Sequence, residues 1–514
     1  MAHVAVDEAV RLGAAFADAR FEVHQREEIL VRNEDVRRCT VKSERGIGIR
    51  ALVNGAWGFA GVSSPTRHDA AVAARRAVQA ARAGAIVQER VIELAREAAH
   101  SAVFRTPIER DPLAVPLEDK LALLFEIDRK CRVSPQIKSV TSGFTAQRIR
   151  KLFVSSEGAE IDQDLVYTGV GFQVGASDGH DFQVRSYPDA SGHYLGRGWE
   201  LVESLPLLAK APEIAEEAVA LLSAAPCPGG RTALILAGDQ LALQIHESCG
   251  HATELDRVLG SERNFAGGSF LVPDGLGRFQ YGSKLVNLYA DARTPGGLGT
   301  FGFDDEGVEA QRVELVTGGR FAGYLSSRES ARRVGLERSS GSMRASNYAS
   351  LPLVRMTNVS LDPGNAGRLD DLIADTPDGV FMQTNRSWSI DDQRKHFQFG
   401  CEDAWEIKGG KRTRRLKNAT YAGVTPAFWG ACDAICDERE WRLYGAADCG
   451  KGQPFQLIAV GHGTAPARFQ DIEIGVHERA VHSPSERKVE ITHPEAERVP
   501  ELKKKGKKRG RKRE

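Results

Sequence analysis

Apolar residues between positions 4 and 19 recur at helical spacing, which predicts an amphipathic helix. The pattern then shifts to short β-like runs at Arg20–Glu27, Glu28–Arg32 and Gly46–Val53. The stretch GIGIRALVNGAWGFAGVSS alternates apolar residues with glycine and contains Asn54-Gly55, a strong signal for a two-residue hairpin turn. Residues 68–84 predict an alanine-rich helix that stops at Gly84. A helix at 117–131, strands at Lys151–Ser156 and Val166–Gly175, and a helix at 213–224 follow. From Arg231 onward, short strands and glycine-rich turns dominate.

Two breaks divide this pattern. One is the proline-containing stretch Thr106–Pro116, and the other is Pro226-Cys227-Pro228-Gly229-Gly230. The expected architecture is α+β. A helix and sheet domain spans 1–105, a second α+β region spans 112–226, and a large antiparallel β-rich C-terminal domain spans 229–482 and carries the helix at 240–251. Residues 483–514 are rich in Pro, Glu and Lys and predict a disordered tail. A chain of 514 residues is too long for one core, in keeping with several domains.

Composition adds three constraints. The chain is 41% hydrophobic and 27% charged, ordinary for a globular protein, and it has no apolar run long enough to span a membrane. Its eight cysteines lack paired spacing and Asp7 and Glu8 stand where a signal peptide would be basic, so a cytoplasmic location is expected. The net charge is zero, but residues 501–514 hold nine Lys or Arg and two Glu, hence +7, which leaves −7 for the rest.

The candidate chemistry lies in TALILAGDQLALQIHESCGHATELD, residues 232–256. A buried-strand run leads to Asp239, a plausible N-cap, and then to an apolar helix holding His246, Glu247 and His251. The common metallopeptidase motif spaces its histidines one turn apart, as H-E-x-x-H. Here the spacing is H-E-x-x-x-H, and five residues of regular helix rotate by about 140°. A π-type widening or a loosened turn would bring the two imidazoles together, and Gly250 offers the backbone freedom for it. Catalytic zinc takes three protein ligands and leaves one position open. Glu254 and Cys449 are the candidates for the third, and Cys449 sits among small residues in YGAADCGKGQP. Glu247, beside the first histidine, has the position of a general base.

Several separated motifs resemble the TldD/PmbA metallopeptidase family: HESCGHATELD (246–256), PGGLGTFGFDDEGVEAQRVELVTGGRFAGYLSSRESA (295–331), GSMRASNYASLPLVRMTNVSLDPG (341–364) and CGKGQ (449–453). The likeness runs in order through about residues 10–480. It implies a Zn2+ site of His246, His251 and Cys449, with Glu247 as catalytic base. It further implies the metal-bearing TldD-type subunit, an unstructured peptide as substrate, and a homodimer or a heterodimer with a PmbA/TldE-like subunit. The basic tail lies outside the family pattern, and 401–416 is more basic than expected from it.

Other residues carry weaker expectations. Asp304, Asp305 and Glu306 are read as a solvated turn or as carboxylates near the metal. Arg355 and Asn358 could bind peptide backbone or an oxyanion, or could hydrogen-bond at strand ends. Cys432 and Cys436 are read as core packing. The basic tail offers a competing role in weak nucleic-acid contact, or in a non-catalytic assembly subunit.

Overall fold

The computed structural model describes residues 1–190, 192–264 and 267–475. The tail expected at 483–514 lies outside the described residues.

Helix Ala2–Arg11 opens the chain. It ends earlier than the apolar spacing predicts. Gly13 takes a left-handed conformation (φ +92°) and strand Phe16–Arg32 begins almost at once. Phe16 through Arg20 are all buried, and an unbroken buried run carries no two-residue alternation. That strand absorbs both of the short runs read at 20–32.

Strands Phe16–Arg32 and Asp35–Val53 form a long antiparallel hairpin, and Ala56–Ser63 extends it through the Asn54-Gly55 turn. Both turn residues have positive φ, 51° and 75°, as a two-residue hairpin requires. On its other side, Phe16–Arg32 pairs with Ile137–Ser155 from Asp18↔Ser155 to Arg32↔Thr141. Strand Glu160–Ser177 follows, so segments 1–105 and 112–226 share a single eight-stranded sheet. Helices Ala2–Arg11 and Arg67–Val87 bury alanine-rich faces in one core on this sheet. Helices Leu117–Cys131 and Leu207–Ser223 share another.

Beyond residue 225 a second eight-stranded sheet forms, largely antiparallel. Strand Gly230–Leu236 runs parallel to Asp378–Ile390 and antiparallel to Ala467–Ile474. Two further pieces shape the site. Arg442–Lys451 and Gln456–Thr464 make a separate hairpin, and a four-stranded sheet includes Val359–Leu361. Among the described residues no helix is long and apolar enough to cross a membrane.

The Asp304-Asp305-Glu306 turn is deeply buried, not solvated. Lys151 donates to Asp305 at 2.5 Å, and Arg50 donates to Glu306 at 3.2 Å. Asp304 accepts the backbone N–H groups of Glu306, Val308 and Met343. These carboxylates therefore lock the first sheet to the C-terminal region. They do not line the cavity that holds the histidine motif. Asp305→Ala is expected to destabilise the fold by about 3–5 kcal/mol, because it removes the buried carboxylate that pairs with Lys151 and lies 3.6 Å from Arg20. The measurement is the midpoint of urea unfolding, and an unchanged midpoint would contradict the locking role.

Candidate metal centre

Strand Gly230–Leu236 passes through Ala237 directly into helix Gly238–Ile245. The N-cap is Ala237, and Asp239 sits inside the first turn with its carboxylate accepting from the Gln240 N–H at 2.8 Å. The helix buries Leu241, Ile245, Cys249, Ala252 and Leu255 in the C-terminal core, which leaves the other face to the histidines.

At His246 the helix widens into a π turn that runs to Gly250. The N–H of His251 donates to the carbonyl of His246, five residues back. This is the widening that the H-E-x-x-x-H spacing demands. The two imidazole centroids end 4.9 Å apart, with planes at 88°. Neighbouring side chains hold the turn's backbone: Tyr281 donates its hydroxyl to the carbonyl of Ser248 at 2.7 Å, and Thr253 donates to that of Cys249 at 3.0 Å. Gly250 itself has ordinary right-handed helical geometry (φ −52°). Glycine is needed there for space, since a Cβ would meet the sulfur of Met356 at 2.0 Å.

Cys449 arrives on the separate hairpin. Ala446 pairs with Val460, but Cys449 pairs with Ile458, so the Cys449 strand carries one extra residue between them. Such a bulge changes which side chains face one way. Directly paired residues share a face, so Cys449 points the same way as Ile458, Val460 and His462. The result brings the ligand atoms of His246, His251 and Cys449 within 4.8 Å of one another, all buried.

Each imidazole is held from behind. The carbonyl of Val359 accepts from His462 Nδ1 at 2.9 Å, which fixes that proton on Nδ1. His462 Nε2 then accepts from His246 Nδ1 at 2.8 Å. His246 is left with its Nε2 lone pair facing the cluster. Burial and the adjacent His246 hold His462 well below the usual histidine range, so it stays neutral. Likewise His251 Nδ1 bonds Glu254 Oε2 at 3.0 Å, and its Nε2 lies 3.6 Å from Cys449 Sγ. Lys451 at 3.2 Å and Arg257 at 3.3 Å also engage Glu254 Oε2. Glu254, the alternative third ligand, thus stands behind His251. Burial alone would raise the Cys449 thiol, but His251, His246 and Arg355 outweigh it and favour the thiolate. Two imidazoles with matching tautomers and a thiolate fit a zinc ion, and imidazole backed by a carboxylate or an acceptor chain is the usual support of such ligands.

Glu247 lines the same cavity of about 390 Å³, together with Arg394, Trp388 and Tyr444. Its Oε2 accepts from Arg394 Nη1 at 2.7 Å. Burial opposes ionisation of Glu247, but the two histidines and Arg394 prevail and keep it below the usual carboxyl range.

Arg355 and Asn358 are fully buried and do not line the cavity. Arg355 donates to the backbone carbonyls of Cys449 and Gln456. Asn358 accepts from the Gly299 N–H at 2.9 Å and packs against Gly461, where a Cβ would meet its Oδ1 at 2.1 Å. Thr357 accepts from the Gly461 N–H at 3.1 Å. With Met356 against Gly250, the Arg355–Asn358 tetrad splints the Cys449 hairpin to the histidine turn. Cys432 and Cys436 are buried, and Cys432 opens the short strand Cys432–Ile435. Sequence reasoning missed His462 and Arg394. The GHG at 461–463 gave a faint signal for the former, since glycines flanking a histidine permit close backbone approach, and Arg394 had none.

This donor set, beside a carboxylate in a cavity, belongs to the metallohydrolase class. Three domain models of the PmbA/TldA metallopeptidase family match: domain 1 over residues 17–85, the central domain over 110–225 and the C-terminal domain over 229–476. The chain belongs to this family, and its enzyme class is metallopeptidase. A metalloprotease of Methanocaldococcus jannaschii is 27% identical over 448 residues, covering 87% of this chain and 94% of its own. A zinc metalloprotease TldD homolog of Saccharolobus solfataricus is 22% identical over 483 residues, covering 91% and 98%. Among solved structures, a Thermotoga maritima protein described as a proposed modulator of a DNA gyrase aligns with TM-score 0.73 at 15% identity, over 92% of this chain and 98% of that one. TldE from Thermococcus kodakarensis aligns with TM-score 0.66 at 16% identity, over 92% and 100%. At these identities the structures bear on fold alone.

His462→Ala is expected to weaken zinc affinity about 10- to 100-fold, because His246 loses the acceptor that orients it. Competition with a chromogenic chelator reads this directly, and an unchanged affinity would contradict the tautomer chain.

Proposed function

We propose that this chain is a zinc-dependent peptidase acting on unstructured peptides, with His246, His251 and Cys449 as ligands and Glu247 as general base. The observation that carries this reading is the convergence of the three ligand atoms within 4.8 Å, with Glu247 in the same cavity. Zinc, when bound, would supply a Lewis acid and lower the pKa of a water to about 7. His462 and Glu254 keep both imidazoles turned with Nε2 inward. Glu247 takes a proton from the attacking water at Oε1 and delivers it to the leaving amine. Among the described residues, strand Arg442–Lys451 pairs on one side only. An extended substrate laid along its other side would meet Cys449 through main-chain bonds, with weak side-chain preference.

The partner is a second copy or a PmbA/TldE-like subunit, a reading supported by the fold shared with TldE. The +7 segment 501–514 favours an accessory, salt-dependent nucleic-acid contact.

Glu247→Gln is expected to lower turnover of an unfolded peptide by at least about 100-fold while zinc stays bound. Turnover at the wild-type rate would remove Glu247 as the base. Cys449→Ser is expected to lose most of its zinc on dialysis, as read by elemental analysis. Full retention would assign the third position to another residue. Deleting 483–514 should abolish nucleic-acid binding and leave peptide cleavage intact.

A further inference from the structure

Arg394 lies outside every motif that marks the site, yet it makes the one ion pair found for the Glu247 carboxylate among the described residues. It occupies the turn between strands Asp378–Ile390 and His396–Lys408. Its φ is +61°, a conformation that residues with side chains seldom adopt. Backbone strain of this kind persists only where the surroundings impose it.

Here the surroundings do so from three directions. Within the turn, the Arg394 N–H donates to the Asp391 carbonyl at 2.9 Å, and the Lys395 N–H donates to the Asp391 carboxylate at 2.8 Å. From one neighbouring segment, Thr425 donates its hydroxyl to the Arg394 carbonyl at 2.8 Å. From another, the N–H groups of Gly268 and Phe270 donate to the carbonyls of Asp392 and Gln393 at 2.8 and 2.9 Å. The turn is thus pinned on both flanks, and the pinning brings the Arg394 guanidinium to the Glu247 carboxylate.

Resting on the peptidase reading above, we infer that Arg394 is the positioning residue of the general base. It holds Glu247 Oε2 so that Oε1 is the oxygen presented to water. A carboxylate attached to a helix by two methylenes has several accessible rotamers, and a proton acceptor must stand within hydrogen-bond reach of its proton. A charge-assisted bond of 2.7 Å from a fixed backbone selects one of them. The arrangement parallels the one at the histidines, where His462 and Glu254 orient groups that they do not replace. Arg394 therefore acts through Glu247, and removing it should cost rate more than substrate affinity.

The test uses the full chain loaded with zinc and a fluorogenic unstructured peptide. Arg394→Ala is expected to lower kcat about 10- to 100-fold with KM within about twofold and zinc content unchanged. In a Glu247→Gln background the same substitution should cost nothing more, because its effect passes through the carboxylate. Arg394→Lys should recover part of the loss. A crystal structure of zinc-loaded Arg394→Ala should show the Glu247 carboxylate displaced while His246, His251 and Cys449 stay in place. An unchanged kcat, a rise in KM alone, or a full further loss in the Glu247→Gln background would overturn the inference. The last two would make Arg394 a direct substrate contact. If Arg394→Ala loses its zinc, Arg394→Lys carries the same double-variant comparison. If Glu247→Gln alone turns over normally, the base assignment itself fails, a result separable from any effect of Arg394.

Discussion

The bond from the His251 N–H back to the His246 carbonyl, across five residues, is the constraint on which the rest of the site depends. A regular turn would send the two imidazoles to different sides of the helix. The widened turn sets them 4.9 Å apart and leaves the buried stripe from Leu241 to Leu255 in the core. A π turn leaves its backbone groups poorly matched, and Tyr281 and Thr253 supply partners to its carbonyls. The unusual motif spacing and the surrounding aromatic and hydroxyl side chains thus belong to one device.

Around this device the chain segments that carry the donors are joined by groups outside the cavity. The Arg355–Asn358 tetrad joins the two pieces of chain that supply the donors. Arg355 holds the Cys449 carbonyl, Met356 fills the space beside Gly250, and Thr357 and Asn358 lie along Gly461. The Asp304–Glu306 turn plays a corresponding part at larger scale by joining the first sheet to the C-terminal region through Arg50 and Lys151. Both clusters have the residue types of an active site, and both spend those charges on burial and alignment. Charged side chains removed from water must be paired, so a buried carboxylate cluster is as much a sign of a packed junction as of chemistry.

Much of this was legible in the sequence where a pattern is local. The helix at 117–131 and the Asn54-Gly55 turn form as read, because apolar period and turn chemistry act within a few residues. The widening at His246 was legible as one of two ways, with a loosened turn, to bring the histidines together, and the π turn is the one the chain takes. What escaped reading depends on distance in the chain. The pairing of Phe16–Arg32 with Ile137–Ser155 merges two segments separated by proline, and nothing near either strand announces it. His462 and Arg394 reach the site from more than 140 residues beyond the motif, each as a single residue of a common type. Gly250 was legible as a required glycine but for a different reason: the need comes from Met356, which no local pattern reveals.

The bulge between Ala446 and Cys449 has a consequence for how this centre is inherited. The thiol faces the histidines because one strand of the hairpin is a residue longer than its partner over that stretch. One residue inserted opposite the bulge, between Ile458 and Val460, would make the ladder regular, leave every donor and every supporting residue in the sequence, and turn the sulfur away from the face of Val460 and His462. The candidate metal centre is therefore written partly as a count, not only as an alphabet. A descendant chain could shed it by a single codon insertion that a survey of its side chains would pass over.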